Sequence, residues 1–136
     1  MADRQRVSSG SPFEVTVGYS RAVRTGNRVV VAGTAPRFSD GSVDPDPAAQ
    51  ARSCLEIIAE ALGQLGASIR DVVRTRVYLV EASDFEAVGA VHGEYFGDVL
   101  PANTTVVVAA LLDPRWKVEI EAEAVIQADP GRDIVV

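Results

Sequence analysis

The 136-residue sequence predicts an α+β domain in which two helices cover one face of a mixed sheet of about six strands. Its segments follow the order β-β-β-α-β-α-β-β. Apolar residues recur at helical spacing at positions 51, 54, 55, 58, 61, 62 and 65, which indicates an amphipathic helix. Residues 117–126 alternate between apolar and polar, which is typical of a strand with one buried face. Two helices are too few to cover both faces of such a sheet, so we expect both on a single face.

The length favours a single domain over residues 1–136, with a core at about residues 12–127 and terminal tails at 1–11 and 128–136. The formal net charge is −6 and the 13 basic residues form no cluster, which disfavours nucleic acid as a partner. No stretch has the apolar core of a signal peptide or the length of a membrane span. A single cysteine leaves no intrachain disulfide, and we expect a cytoplasmic protein.

The N-terminal half is predicted to supply the first three strands. Residues 1–11 are polar and read as a loose terminus, and the alternation from Phe13 to Val17 predicts a short half-buried strand. Residues 22–24 and 28–33 form a predicted hairpin, because Gly26 and Asn27 accept the positive φ of a tight turn. Residues 34–47 are rich in Gly, Pro, Asp and Ser and predict a loop.

The first helix is predicted to begin at Asp46-Pro47, where the carboxylate caps free N–H groups and proline suits the first helical position. Gly66 is a natural stop, and Cys54 falls on the buried stripe as a core residue. Residues 72–80 predict the next strand. Ser83 and Glu86 have the spacing of a capping box. The helix that they open is predicted to end at Gly97 and to bury Phe85, Val88, Val91, Tyr95 and Phe96.

Residues 100–124 are predicted to form two strands joined by a short turn. The first strand, residues 104–112, is apolar on both faces and is expected to be covered on both. The second, residues 117–126, places Lys117, Glu119, Glu121 and Glu123 on one face. The second face of the sheet would then be bare and largely apolar, so we expect a closed homo-oligomer with polar-lined clefts between its subunits.

Several short motifs follow one another along residues 12–127. They are Gly18-Tyr19-Ser20-Arg21-Ala22-Val23, Val29-Val30-Val31-Ala32-Gly33, Asp71-Val72-Val73 with Val77-Tyr78-Leu79, Phe85, Val88 and Glu94-Tyr95-Phe96-Gly97, Pro101-Ala102, Val106-Val107-Val108-Ala109, and Val118-Glu119-Ile120-Glu121-Ala122. Their order resembles the RidA/YjgF (L-PSP) family of reactive-intermediate, or imine, deaminases. The resemblance implies a chorismate-mutase-like fold and a barrel-like homotrimer with small-molecule clefts between neighbouring subunits.

The sequence departs from the family pattern at three polar positions. Where the resemblance implies an arginine that grips a substrate carboxylate, this chain has Asn103, a neutral amide. Loss of such a charge-assisted pair removes about 1.5–3 kcal/mol of binding. Ala32, before Gly33, replaces a serine of the same cleft, and Gly89 replaces an asparagine of the second helix. The chain is therefore identified as a divergent member of the family.

Several other residues are candidates for the site. The resemblance implies that Glu119 positions the water that attacks an imine carbon, which is reasonable chemistry for a carboxylate. Tyr19 and Thr105 are further candidates for the same cleft. Arg115 and Trp116 precede the last strand and offer a replacement cation and an aromatic wall. Arg21 and Arg76 are alternative cations.

Each candidate also has a plainer interpretation. Glu119 belongs to a row of charged residues typical of a solvated strand face, and Asn103 suits a turn. Tyr19 is equally compatible with packing, and Trp116 is most simply an apolar cap over the sheet edge. His92, the only histidine, falls at the edge of a buried stripe and is predicted to be structural. No phosphate loop, dinucleotide motif or metal-ligand cluster occurs, so we expect action without a cofactor.

Three functions follow from these observations. The first is a hydrolase or deaminase of a small imine, enamine or related metabolite. The second is a non-catalytic module that binds a metabolite in the same cleft. The third, a ribonuclease or translation inhibitor, is a label that some family members carry, but it needs a basic, aromatic groove that this acidic chain does not predict.

Overall fold

The computed structural model describes residues 3–127, which form a six-stranded mixed sheet and two α-helices. The elements are β1 (Arg4–Val7), β2 (Ala22–Thr25), β3 (Arg28–Thr34), α1 (Pro47–Gln64), β4 (Val72–Leu79), α2 (Phe85–Phe96), β5 (Ala102–Val107) and β6 (Val118–Val125). The spatial order of the strands is β1-β2-β3-β6-β4-β5, and the pairs are antiparallel except for β4 with β5. The predicted α+β class is confirmed, and the predicted tail at 128–136 lies outside the described residues.

Helix α1 follows its sequence signals closely. The Asp46 carboxylate accepts a hydrogen bond from the backbone N–H of Ala48 at 3.2 Å, and Pro47 occupies the first turn. The predicted apolar stripe is buried throughout, including Cys54 at 0% exposure. Beyond the helix, Gly66 has a φ of +81°, the left-handed conformation that favours glycine. Helix α1 packs against α2 and against strands β3 and β6.

The predicted start of α2 is wrong. A 3₁₀ turn over Ala82–Asp84 precedes the helix, which begins at Phe85 without a side-chain cap. A capping box occurs earlier instead, where the Asp71 carboxylate accepts a hydrogen bond from the Ser68 N–H at 2.9 Å. Phe85 lies in the first turn of the helix and is 55% exposed rather than buried. Val88, Val91 and Phe96 are buried as predicted.

The N-terminal segment differs from its prediction in two ways. Residues 4–7 are not loose, because β1 pairs antiparallel with β2 at the sheet edge. The predicted strand from Phe13 to Val17 is instead a single π-helical turn over Glu14–Gly18. The Glu14 carboxylate lies under this turn and accepts hydrogen bonds from Ser8 Oγ and the Ser9 N–H, each at 2.8 Å. The alternating apolar residues therefore point outward, and Val15 is 90% exposed.

Strand β5 is shorter than predicted and has a different neighbour. It ends at Val107, and a ten-residue connection over 108–117, rather than a short turn, leads to β6. Strand β4 lies between β5 and β6, so β4, α2 and β5 form a parallel crossover unit. Because β5 is an edge strand, Val106 and Val107 are 42% and 54% exposed, and the chain itself does not cover both faces.

Strand β6 alternates as predicted. Val118, Ile120, Ala122 and Ala124 are buried under the helices, while the glutamates between them lie on the opposite face. We call that opposite side of the sheet the open face. It is more polar than predicted: Arg76 contacts Glu121 at 3.2 Å, and the Tyr78 hydroxyl donates to Glu121 at 2.7 Å. None of the helices described over residues 3–127 is both long and apolar enough to cross a membrane.

Candidate functional site

Glu119 lies on the open face of β6, directly against the backbone of Gly33 in β3. A β-carbon built at Gly33 would stand 3.3 Å from Glu119 Cδ and closer still to Oε2. Strand β3 changes register between Val31 and Thr34, beside this contact. The predicted site residue Gly33 is therefore a position where the absence of a side chain gives the Glu119 carboxylate its place.

The Glu119 carboxylate opens into a cleft of about 820 Å³. The cleft lies between the segment around the π-helical turn, the loop that follows β3, and the connection before β6. Glu119 and five other predicted site residues share its lining: Tyr19, Ala32, Gly33, Arg115 and Trp116. Sequence reasoning missed the apolar part of the wall, including Phe13, Phe38 and Ile57, because distant loops bring these side chains together.

Burial raises the pKa of the Glu119 carboxyl above its ordinary value of 4.5. The positive charge of Arg21 opposes this effect, and the negative charge of Glu121 adds to it. Among the described residues, no cationic side chain lies within 4.0 Å of the Glu119 carboxylate. A half-buried carboxylate with a raised pKa and no salt bridge is a better proton acceptor than an exposed or paired one.

The three candidate cations occupy different environments. Arg21 lines the cleft, and its Nη2 donates to the Gly33 carbonyl oxygen at 2.6 Å. Arg115 also lines the cleft, but its guanidinium donates to Asp113 at 2.8 and 3.1 Å, and these bonds lower the pKa of Asp113 to about 2. Arg76 lies outside the cleft and contacts two glutamates of β6. Arg21 is therefore the candidate cation that stands beside Glu119 without a carboxylate partner in the described chain.

Asn103 and Thr105 lie elsewhere. Asn103 Nδ2 donates to Thr75 Oγ1 at 3.0 Å, and its Oδ1 accepts from the Thr105 hydroxyl at 2.9 Å. Thr75 is fully buried on the helix-covered face of β4, whereas Glu119 lies on the open face. Neither Asn103 nor Thr105 lines the Glu119 cleft. Within one chain, the predicted site residues therefore fall into two groups on opposite faces of the sheet.

The Asn103 group extends into helix α2. Thr75 Oγ1 and His92 Nε2 share a hydrogen bond of 2.8 Å, and the His92 ring lies 4.6 Å from that of Phe96. Gly89, about one turn before His92, is half-buried, and a β-carbon added there would meet nothing within 4 Å, so it leaves open space beside this group. Sequence reasoning missed Thr75, although a threonine at a core-facing position of a strand is a usable signal for a buried hydrogen bond.

Within the part of the chain that the structure describes, the other reactive groups form no second centre of this kind. Burial raises the pKa of the Cys54 thiol well above its usual range, so the thiolate is not available near neutral pH. Over residues 3–127, no three His, Cys, Asp or Glu side chains come together as ligands for a metal ion. The chemistry that the described residues support is that of a carboxylate beside an arginine and a tyrosine in an apolar-walled cleft.

Comparison with known proteins places the chain in a family. The sequence matches the family model described as Endoribonuclease L-PSP over residues 10–126. It is 35% identical over 112 residues to the 2-iminobutanoate/2-iminopropanoate deaminase of Escherichia coli, and the match covers 79% of this chain and 86% of the relative. It is 34% identical over 108 residues to the 3-aminoacrylate deaminase RutC of Acinetobacter baylyi, and the match covers 78% of this chain and 85% of the relative.

The fold is also similar to that of solved members of the family. The crystal structure of a YjgF/YER057c/UK114 family member from Mycobacterium tuberculosis matches this chain with a TM-score of 0.85 and 50% identity, and the match covers 91% of this chain and 100% of the other. The predicted RidA-like arrangement of strands and helices is thereby confirmed. The chain belongs to the RidA/YjgF family.

Proposed function

We propose that this protein hydrolyses a small imine, enamine or related electrophile in the cleft that contains Glu119. The observation that carries the proposal is the placement of the Glu119 carboxylate: half-buried, pressed against Gly33, with a pKa raised by burial and no salt bridge in the described chain. The deaminase names of the two relatives support the same class of reaction.

In the proposed reaction, Glu119 holds a water molecule against the carbon of a C=N bond. The water oxygen bonds to that carbon, Glu119 takes one proton, and the π electrons move to nitrogen, which is then protonated by Glu119. Collapse of the carbinolamine forms C=O, breaks the C–N bond and sends the second water proton through Glu119 to nitrogen. Ammonia and a carbonyl compound are released, and Glu119 is ionised again. No cofactor takes part in this scheme.

We also propose that the working cleft lies between copies of the chain in a homotrimer. Glu119 and Asn103 occupy opposite faces of one sheet, so a ligand can meet both only if they belong to different subunits. The family resemblance supports a trimer, and the partly exposed edge strand β5 offers a surface for a neighbouring copy. In such an assembly, Asn103 and Thr105 of one subunit would face the Glu119 cleft of the next.

The reaction is tested with imines generated in place by an amino acid oxidase, by measuring the release of the corresponding oxo acid. We expect turnover by the wild-type protein and a loss of at least about a hundredfold in Glu119→Gln, the range for removal of a general base. Glu123→Gln is the matched control, since Glu123 follows on the same face of β6 but lies outside the cleft. If Glu119→Gln equals wild type on every substrate that is turned over, the proposed role is wrong.

A second candidate is a metabolite-binding module that uses the same cleft without turnover. Both polar ends of the Asn103 amide are already engaged, by Thr75 and Thr105, and this favours a structural role for the residue at the family's arginine position. A ligand would then raise the melting temperature by mass action while no product forms. Product release at a rate that depends on Glu119 would exclude this candidate.

A further inference from the structure

We propose that Arg21 and the apolar wall of the Glu119 cleft form a binding subsite for a carboxylate attached to a bulky apolar group. The subsite would bind part of the substrate of the proposed hydrolysis, and the position of the reacting centre rests on that proposed function. Anion recognition would thus be supplied by the segment that enters strand β2, beside Glu119 and on the same chain, rather than by the position of Asn103.

The charge distribution of the cleft favours an anion. The whole chain has a net charge of −6, yet the residues that line the cleft carry three arginines and two carboxylates, a net charge of +1. Asp113 neutralises Arg115 within the same wall. The positive charge that remains belongs to Arg21 and Arg37, and their mutual repulsion contributes to lowering the pKa of Arg21, after the larger effect of burial. A low-dielectric cleft with an excess of one charge sign concentrates ions of the opposite sign.

Arg21 is held in place without being neutralised. Its Nη2 donates to the Gly33 carbonyl oxygen at 2.6 Å, which orients the guanidinium within the cleft. Its Nε is buried and has no hydrogen-bond acceptor among the described residues. Within residues 3–127, no carboxylate oxygen lies within 4.0 Å of the guanidinium. A half-buried cation without an anion is unfavourable, and a bound carboxylate would supply the missing partner through the remaining N–H groups of the guanidinium.

The rest of the wall fits a large apolar substituent. Phe13 and Leu112 line the cleft while 65% and 95% exposed, and Phe38 and Trp116 add two aromatic rings. In a single chain the cleft has a volume of about 820 Å³, which lies in the range of pockets that hold drug-sized molecules. Burying these side chains against a ring or branched chain is favourable, because apolar surface leaves water.

The test measures binding with three probes: 3-phenylpropanoate, its uncharged amide, and acetate. For the wild-type protein we expect the carboxylate to bind at least about tenfold more tightly than the amide, and acetate to bind at least about tenfold more weakly than 3-phenylpropanoate. Arg21→Gln should remove the preference for the carboxylate while it retains binding of the amide. Arg21→Lys should keep a reduced preference, and Arg52→Gln, a surface cation on α1 paired with Glu94, should keep all of it.

Equal binding of the carboxylate and the amide by wild type would overturn the proposal, as would a preference that survives in Arg21→Gln. Acetate that binds as tightly as 3-phenylpropanoate would overturn the apolar part. If Arg21→Gln fails to fold, Arg21→Lys tests the proposal instead. A complete loss of the preference for the carboxylate in this variant, which retains the charge, would contradict an anion subsite. Binding needs no turnover: a protein that prefers the carboxylate but hydrolyses no imine leaves the subsite standing and overturns the proposed reaction.

Discussion

Glu119 and Gly33 are in contact so close that the carboxylate occupies the space of a missing side chain: a β-carbon at residue 33 would stand 3.3 Å from Glu119 Cδ. The contact joins β6 to β3 at the point where β3 changes register. It sets both the position of the carboxylate and its burial, and the first two predictions follow from it.

Gly33→Ala should displace the Glu119 side chain and reduce imine turnover at least about tenfold, because small misplacements of reacting groups are costly. The fold should survive, since the group that must move is the end of a flexible side chain. Gly63→Ala is the matched control: nothing lies within 4 Å of its β-carbon, and it should stabilise α1 by about 0.5–1 kcal/mol without changing turnover. Wild-type turnover in Gly33→Ala would show that the placement of Glu119 is unimportant.

The raised pKa of Glu119 predicts a pH-dependent effect on stability. The folded protein holds this proton more tightly than the unfolded chain does, so the contribution of the carboxyl is favourable below its ordinary pKa of 4.5 and is lost as the pH rises through the folded value. Glu119→Gln should therefore melt at a higher temperature than wild type at pH 7.5, and the difference should vanish near pH 4. Thermal denaturation at both pH values measures this.

The control for the pH prediction is Glu123→Gln, which loses contacts with Arg28 at 3.4 Å and Arg76 at 3.8 Å. It should gain no stability at pH 7.5. A Glu119→Gln variant that is less stable than wild type at neutral pH would mean that attraction to Arg21 outweighs the burial of the carboxylate.

Thr75→Val should destabilise the protein by about 1–3 kcal/mol, measured by urea denaturation. The substitution keeps the shape of the side chain but removes a fully buried hydroxyl, which leaves Asn103 Nδ2 and His92 Nε2 without their partner. Thr75→Ser should recover most of the loss because it restores the hydroxyl. Thr104→Val, an exposed threonine on the neighbouring strand β5, should stay within about 0.5 kcal/mol of wild type. A Thr75→Val variant as stable as wild type would mean that the hydrogen bonds of Thr75 with Asn103 and His92 do not stabilise the fold.

Local sequence signals correctly predicted the elements that are specified by residues close together in the chain. The cap at Asp46, the stripe that includes Cys54, and the alternation of β6 each follow from periodicity and capping within a few residues. The same reasoning failed at the π-helical turn. There, alternation from Phe13 to Val17 imitates a strand, but the hydrogen bonds of Glu14 with Ser8 and Ser9 hold a turn instead.

The candidate site was predicted residue by residue but not as an arrangement. Glu119, Tyr19 and Gly33 were named from motifs, and they do share a cleft. Within one chain, Asn103 instead lies on the other face, where it bonds to Thr75, and its place beside Glu119 in a cleft between subunits stays a prediction. The face of a residue in β5 depends on its pairing with β4, and that parallel pair is made by a crossover through α2 that no short-range pattern reveals.

The sequence by itself determined the α+β class, the two helices, the buried face of β6 and the membership of the RidA/YjgF family, because periodicity, capping and ordered motifs are properties of neighbouring residues. Only the tertiary structure decided which strands are neighbours, which arginine stands beside Glu119 without a carboxylate partner in the described chain, and which loops wall the cleft. These features depend on contacts between segments tens of residues apart, whose free energies are set by packing and burial rather than by local conformational preference.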